Sequence, residues 1–248
     1  MEQFERIDDL YIKGYRIIQD LRCFCFGLDS VLLADFAAVK PGETMCDLCC
    51  GNGAVTLLLA AKTGAKAIWG LEIQQNMCDL AKRSVLLNRE EGRVHILQGD
   101  LRAMPRQMQA ASFDVVTVNP PYMEVKGGLL SEREEKQIAR HEVACTLNDV
   151  LFASAKLLRF GGRFFMVHRP NRLSDIITAM RSVSIEPKRL RMVHPFLQKE
   201  PEMVLIEGRR GGKSQLIVEA PLIVHGADGS YTEEIQAIYD REGRGNGN

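Results

Sequence analysis

Four consecutive residues, Asn119-Pro120-Pro121-Tyr122, follow an apolar run and have types that suit chemistry at nitrogen. Two prolines make a stiff, extended segment without backbone N–H donors, so its carbonyl oxygens remain as acceptors. An amine on a planar ring is a poor nucleophile because its lone pair is delocalised. The Asn119 amide oxygen and the Pro120 carbonyl can bind its two hydrogens and favour pyramidal nitrogen. Tyr122 can stack on the planar target, so the pattern predicts an acceptor site; an ordinary strand-terminal turn is the alternative.

Three acids, Asp47, Glu72 and Asp100, stand in or directly after three successive apolar runs that have the character of strands. Asp47 precedes a turn with Gly51 and Gly53, where glycine allows the backbone to approach a ligand closely. A carboxylate at the end of the second strand can accept hydrogen bonds from both hydroxyls of a ribose. The three acids suit a nucleoside with cationic substituents and do not suit a pyrophosphate. We therefore predict a nucleoside cofactor site; three solvent-exposed acids are the alternative.

The hydrophobic pattern predicts the alternating strands and helices that bring these residues to one edge. Strands are predicted at 44–50, 66–71, 94–98, 113–118 and 162–168, with a closing pair at 188–194 and 203–209. Helices are predicted at 55–63, 75–88, 147–158 and 174–182. This order is typical of an α/β fold with a Rossmann-like, seven-stranded and mainly parallel sheet. Ligands of such sheets bind beyond the carboxyl ends of the strands.

The segment before this alternation predicts a β-hairpin over 8–19 and a short helix that Asp29 or Ser30 caps. We expect residues 1–40 to pack on the core, residues 41–240 to form the Rossmann-like domain, and residues 241–248 to be a flexible tail. Residues 123–146 interrupt the alternation and are predicted to be a long polar loop.

The composition is that of an ordinary globular protein. The 248 residues are 46% hydrophobic and 26% charged, with no net charge. The longest uncharged apolar run, 54–61, is too short for a bilayer, and no secretory signal is visible, so we expect a soluble cytoplasmic protein. Cys46 and Cys49 form a single Cys-x-x-Cys without a second pair, which favours buried thiols over a metal site. The sequence shows no apolar stripe that would form a subunit interface, so it does not predict the oligomeric state.

Residues 156–213 carry 13 basic and 5 acidic side chains within a chain of zero net charge. Such a stretch is typical of a polyanion-binding surface, or of an ordinary solvated surface whose counter-charges lie nearby in space. Nine of its cations are candidates to steer a nucleic acid: Lys156, Arg159, Arg163, Arg169, Arg172, Arg181, Lys188, Arg189 and Arg191.

Over about residues 28–210 the chain resembles the class I S-adenosylmethionine-dependent methyltransferases. Asp47–Gly53 is similar to their first motif, although Cys49 stands where the family has its first glycine. By this resemblance Glu72 is the ribose acid and Asp100 lies near the cofactor adenine. Asn119–Tyr122 matches the Asn-Pro-Pro-Tyr motif of the members that methylate amide or exocyclic nitrogens, and Asn119 is expected to contact the cofactor beside its donor methyl group as well.

A narrower resemblance is to the enzymes that methylate the 6-amino group of the adenosine just 3′ of the anticodon in valine tRNA. Phe26–Ala34, Ala139–Glu142 and the C-terminal segments 220–225 and 231–235 carry it. The resemblance implies a tRNA substrate, with the N-terminal hairpin, Phe26 and Gly27 closing over S-adenosylmethionine. It also implies that Arg140 and His141 lie near the target.

Other functions remain open at this point. Methylation of a protein glutamine at N5, or of guanine N2 in ribosomal RNA, uses the same Asn-Pro-Pro-Tyr geometry. A non-enzymatic RNA-binding protein with a vestigial cofactor fold is a third possibility. Intact Gly51, Gly53, Glu72, Asp100 and Asn119 favour an enzyme over that third possibility.

Overall fold

A computed structural model describes residues 3–23, 25–120 and 145–243. Within these ranges the strands are β1 Glu5–Asp9, β2 Arg16–Asp20, β3 Thr44–Leu48, β4 Ala67–Glu72, β5 Val94–Gln98, β6 Phe113–Val118, β7 Leu158–His168, β8 Ile185–Phe196, β9 Met203–Arg210, β10 Ile217–Val218 and β11 Leu222–His225. The α-helices are α1 Leu28–Phe36, α2 Ala54–Lys62, α3 Gln75–Leu87, α4 Leu147–Leu157, α5 Leu173–Ser182 and α6 Glu233–Gly243. The predicted alternation of strands and helices is confirmed.

The main sheet has the strand order β10-β8-β9-β7-β6-β3-β4-β5, and β11 also pairs with β8. Strands β3 to β7 are mutually parallel, whereas β9 runs antiparallel to both of its neighbours, β7 and β8. The seven long strands are those predicted, and the short strands β10 and β11 enlarge the sheet to nine. The carboxyl ends of β3 to β7 therefore meet at one edge of the sheet.

Helices cover both faces of the sheet, because alternate residues of each central strand point to opposite sides. Phe165 and Val167 of β7 belong to one buried cluster, with residues of α1, α2, α3 and α6. Phe164 and Met166 belong to a second buried cluster, with residues of α4 and α5. This is the three-layer arrangement expected of a mainly parallel sheet.

The predicted N-terminal hairpin is formed by β1 and β2, which pair antiparallel. It packs on α3, where Ile18 shares a small buried cluster with Met77 and Leu80. The Ile18 backbone N–H also donates to the buried Ser84 hydroxyl at 2.9 Å. The hairpin is thereby attached to the domain by apolar contacts and by a buried hydrogen bond.

One local expectation was wrong. Gly27 is the N-cap of α1 and no side chain caps this helix, so Asp29 and Ser30 lie in its first turn. Helix α6 ends at Gly243, so the boundary predicted at residue 241 falls within this helix, and the rest of the predicted tail lies outside the described residues. The predicted loop 123–146 lies outside the described residues except for Cys145 and Thr146.

In the described ranges no helix is both long enough and apolar enough to cross a membrane. In the same ranges no group of three or more histidine, cysteine or acidic side chains is arranged to hold a metal ion.

Candidate active site

The three predicted strand-end acids lie in or shortly after three adjacent strands. Strand β3 pairs with β4, with Leu48 opposite Leu71, and β4 pairs with β5, with Glu72 opposite Gln98. The first glycine turn, Glu72 and Asp100 consequently follow one another along the same edge of the sheet. The sequence-based arrangement of these elements is confirmed.

The turn after β3 is built from left-handed backbone. Gly51 and Gly53 have φ of 55° and 88°, and Gly53 is the N-cap of α2. A Cβ on Gly53 would lie 3.2 Å from the Cβ of Ala81, so a side chain has little space there. Cys49 also has a positive φ, 57°, which costs a non-glycine residue about 1–2 kcal/mol. Cys49 thus adopts left-handed backbone, which favours glycine, at the position where the resemblance places a glycine.

Asp47 is buried, with 1% of its surface exposed. Its two carboxylate oxygens accept hydrogen bonds from the hydroxyls of Thr56 at 2.7 Å and Thr117 at 2.8 Å. Burial raises the pKa of Asp47 to about 6, and the two hydroxyls limit this rise. Asp47 therefore connects β3 to α2 and to β6 from inside the domain, and its predicted cofactor contact stays a prediction.

Glu72 joins the two turns that flank it. One carboxylate oxygen accepts from the Gly51 N–H and the other from the Gln74 N–H, each at 2.9 Å. Glu72 is 5% exposed. Each oxygen of a carboxylate can accept a second hydrogen bond, so both can still bind a donor such as a ribose hydroxyl. The position at the end of β4 suits the predicted role, which stays a prediction.

Asp100 caps the short 3-10 helix Leu101–Ala103 and accepts from the Arg102 N–H at 2.8 Å. Its carboxylate also forms an ion pair with the Arg102 guanidinium at 2.7 Å. Hydrogen bonding to Arg102 lowers the pKa of Asp100 below its usual value. Asp100 is half-exposed and is the outermost of the three strand-end acids. Its partner, Arg102, belongs to the same turn.

Asn119 directly follows β6 and lies next to the glycine turn, because Val118 is opposite Leu48. Its side-chain nitrogen Nδ2 donates to Asp29 Oδ2 at 2.9 Å and to Ser30 Oγ at 3.4 Å. Sequence reasoning assigned no role at this site to either α1 residue.

Pro120 is buried after the strand. Pro121, Tyr122, Arg140 and His141 lie outside the described residues, so their predicted roles stay predictions. The described chain resumes at Cys145, and interaction with Cys49 of the glycine turn lowers the pKa of the Cys145 thiol. The described chain therefore stops one residue after Asn119 and resumes at a residue near the glycine turn.

The N-terminal extension reaches the glycine turn through Gln19, which is buried. Gln19 Oε1 accepts from the Phe26 N–H at 2.9 Å and from Asn52 Nδ2 at 3.5 Å. Its amide nitrogen donates to Asp8 on the other strand of the hairpin. The connection between the hairpin, the segment of Phe26 and Gly27, and the glycine turn is therefore direct. Its signal in the sequence is a single inward-facing glutamine at the end of β2.

His168 ends β7 at the same edge, and sequence reasoning gave it no role. Its Nδ1 accepts from the Arg169 N–H at 2.8 Å. Burial lowers the pKa of His168 to about 4, so the imidazole is neutral at physiological pH. The site therefore has a neutral histidine on the strand next to β6.

Several arginines of the basic stretch 156–213 are paired with acids. Six of the nine candidate cations form ion pairs: Arg159 with Asp114, Arg163 with Glu43, Arg172 with Asp175, Arg181 with Glu186, Arg189 with Glu207 and Glu219, and Arg191 with Glu234. Lys188 and Arg169 donate to the backbone carbonyls of Lys213 and Glu202. For these six arginines the arrangement favours the alternative of a surface with nearby counter-charges.

Comparison with known proteins gives consistent results. Residues 45–130 match a family model described as a methyltransferase domain. A relative from Porphyromonas gingivalis, named tRNA1(Val) (adenine(37)-N6)-methyltransferase, is 27% identical over 92% of this chain and 91% of its own length. A solved structure described as a predicted O-methyltransferase from Agrobacterium tumefaciens has a TM-score of 0.69 and 22% identity, covering 87% of this chain and 97% of its own. A geranyl diphosphate methyltransferase in complex with SAM has a TM-score of 0.54 and 16% identity, covering 73% and 84%. The two structures share the fold.

Proposed function

We propose that this methyltransferase transfers a methyl group from S-adenosylmethionine to the 6-amino group of an adenine in tRNA, adenosine 37 of valine tRNA. The observation that carries the proposal is the position of the Asn119 amide, at the end of β6 beside the glycine turn, with its nitrogen bound to Asp29. The name of the Porphyromonas relative, which aligns over 92% of this chain, supports the nucleic acid and the base.

The residues at the ends of β3, β4 and β5 fit a nucleoside cofactor. Gly51 and Gly53 add no side chain of their own to the turn, and Glu72 keeps acceptor capacity on both oxygens. Asp100 adds a half-exposed carboxylate after the next strand of the sheet, β5. Gln19 holds the segment of Phe26 and Gly27 near the glycine turn. When bound there, S-adenosylmethionine supplies a methyl group that its sulfonium makes electrophilic.

The acceptor side needs no strong base in this proposal. The Asn119 oxygen accepts one hydrogen of the target amine and the Pro120 carbonyl accepts the other, which returns the lone pair to nitrogen. Preorganised acceptors act without reorganisation in the transition state, and alignment of the amine with the methyl group supplies much of the rate. The proton of the alkylated amine is lost to solvent after transfer. Tyr122 would stack on the adenine, and Arg140 and His141 would contact the RNA around it.

Labelled S-adenosylmethionine and an unmodified valine tRNA transcript test the proposal. The RNA is digested after reaction and the labelled nucleoside is identified. We expect N6-methyladenosine, and we expect none from a matched transcript in which adenosine 37 is replaced by guanosine. We also propose that the protein acts in the cytoplasm, where its tRNA substrate is located.

The alternatives predict label in other substrates when ribosomal RNA or a cell lysate replaces the tRNA transcript in this assay. Label in N2-methylguanosine from ribosomal RNA would move the activity to that base. Label in a protein of the cell lysate, with none in RNA, would indicate a glutamine acceptor. Failure to bind S-adenosylmethionine at all would favour a non-enzymatic RNA-binding protein.

A further inference from the structure

The side chain of Asn119 is held by a helix that lies outside the matched methyltransferase domain. Its amide nitrogen donates to Asp29 and to Ser30, residues 90 and 89 positions earlier in the chain. Both belong to the first turn of α1, whereas the family model matches residues 45–130. The N-terminal extension is therefore in direct contact with the acceptor residue of the proposed reaction.

Asp29 is itself fixed in place. Its Oδ1 accepts the Ser30 N–H at 2.8 Å, which leaves Oδ2 for Asn119. The helix behind it is anchored in the core by Val31, Leu32, Leu33, Ala34 and Phe36, all buried. A Cβ on Gly27 would lie only 3.2 Å from Asp29 Oδ1, so the glycine leaves space for the carboxylate. Asp29 is thus a rigid acceptor on a rigid helix.

The chemistry of the two partners determines which way the amide points. An asparagine side chain has a donor end and an acceptor end of nearly equal size, so its shape alone does not select an orientation. An ionised carboxylate only accepts, and a hydrogen bond to it is stronger than one between neutral groups. Turning the Asn119 amide over would place its oxygen against the Asp29 carboxylate.

We infer that Asp29, assisted by Ser30, is a positioning residue that keeps the Asn119 amide oxygen directed at the acceptor nitrogen. The inference deepens the proposed function and rests on it for the identity of the acceptor. It also restricts the acceptor class: a group held by this oxygen must bring its own hydrogen, as an exocyclic amine or a primary amide does. A turned-over amide would present N–H to such a group and repel it.

Steady-state kinetics of three variants test the positioning role. In D29A the amide loses its charged partner, and we expect kcat for valine tRNA to fall about 10- to 100-fold. KM for tRNA and Kd for S-adenosylmethionine should change less than about twofold, since Asp29 contacts neither in this proposal. D29N keeps a side-chain oxygen for Asn119 Nδ2 and should lose less than about tenfold. D35A, which removes an aspartate of the same helix from its 3.0 Å contact with Lys62, should keep the wild-type kcat.

A compensating pair provides a second test, which a merely structural role would not pass. N119D places a second carboxylate within hydrogen-bond distance of Asp29. Repulsion between the two like charges disfavours the wild-type orientation of the side chain at position 119. In D29N/N119D the amide nitrogen introduced at position 29 can donate to the carboxylate introduced at position 119, whose second oxygen then faces the acceptor amine. We expect the double variant to be at least about tenfold faster than N119D. A double variant no faster than N119D would contradict the inference.

The orientation can also be measured without turnover. The side-chain NH₂ signals of Asn119 in a ¹H–¹⁵N spectrum are identified by their loss in N119A. We expect them to shift in D29A and to stay unchanged in D35A. Signals that do not move in D29A would overturn the inference, as would an unchanged kcat. Wild-type protein that transfers no methyl group to tRNA would instead overturn the proposed function, while the NMR result still decides the role of Asp29.

Discussion

The ends of strands β3 and β4 and the basic stretch 156–213 both carry charged side chains, but those side chains have different kinds of partner. At the strand ends, Asp47 and Glu72 are buried and accept hydrogen bonds from hydroxyl and backbone N–H groups. In the basic stretch, arginines such as Arg172 and Arg181 are exposed and pair with an acid a few residues away. The carboxylates at the strand ends hold neighbouring elements in place, whereas the arginines of the basic stretch form ion pairs at the surface.

The difference predicts where substitutions will matter. A buried carboxylate that loses its partners, or leaves a backbone N–H without one, costs the desolvation energy of the orphaned group, about 1–3 kcal/mol or more. An exposed ion pair contributes about 0–1 kcal/mol because water screens it. Substitutions in the two regions should therefore differ in their effects, from large changes at buried groups to small ones at the surface.

The pH dependence of stability should contain two opposing contributions of about 3 kcal/mol each. The pKa of Asp47 is raised to about 6 in the folded state, so the folded protein holds more protons than the unfolded chain between about pH 4 and 6. The stabilisation from this group is fully present at low pH and is lost as pH rises through that window, by about 1.36 kcal/mol for each pH unit. In D47N we expect this falling component to disappear. Urea unfolding at pH 4, 5, 6 and 7 measures it.

His168 should act in the opposite direction. Its pKa is lowered to about 4, so the unfolded chain holds the extra proton between about pH 4 and 6.5 and stability rises with pH there. H168N can keep an acceptor for the Arg169 N–H and should remove the rise, which leaves the fall caused by Asp47. Identical pH profiles for wild type, D47N and H168N would show that burial perturbs neither group in the folded protein.

Glu72 and Asp100 should differ in their effect on cofactor affinity. In E72Q the new NH₂ group faces a backbone N–H of Gly51 or Gln74, which distorts the turn as well as removing an acceptor. We expect Kd for S-adenosylmethionine to rise about 10- to 100-fold by calorimetry. D100N, an equally conservative change at a half-exposed acid, should raise Kd less than about tenfold. Equal effects would place the two acids in equivalent environments.

Two arginines of the basic stretch should differ in their contribution to stability. The Arg163–Glu43 pair has both side chains 15% exposed, whereas Arg172 and Asp175 are 47% and 57% exposed. R163A leaves Glu43 poorly solvated and should cost about 2 kcal/mol of unfolding free energy, while R172A should cost less than about 0.5 kcal/mol. Chemical denaturation checks both. Equal losses would contradict the role given to burial.

The smallest expected effect concerns tRNA affinity. Arg172 and Arg181 form ion pairs with Asp175 and Glu186. Removing either acid should leave its arginine available to bind an RNA phosphate. D175A and E186A should each tighten tRNA binding by no more than about threefold and steepen its salt dependence by about one ion. R172A should weaken binding by a similar factor or less. Weaker binding of D175A than of wild type would mean that its arginine needs the acid to be held toward the RNA.

The sequence predicted the backbone of the site better than its contacts. The strand ends at Glu72, Gln98 and Val118 follow from periodicity, and parallel pairing then brings the following residues to one edge. The partners of these residues were not predictable, because they come from distant segments: Asp29 lies 90 residues from Asn119 and Glu43 lies 120 from Arg163. No local pattern encodes such pairs. The C-terminal strands β10 and β11 are too short to give a periodic signal.

The most direct test of the central claim compares N119A with wild type in two measurements on the same preparations. One is the rate of methyl transfer from S-adenosylmethionine to valine tRNA, and the other is the Kd of S-adenosylmethionine. We predict that transfer falls at least about 100- to 1000-fold while Kd stays within about threefold of wild type. Transfer at the wild-type rate, or loss of cofactor binding together with activity, would contradict the separation of the Asn119 acceptor site from the cofactor site at β3–β5.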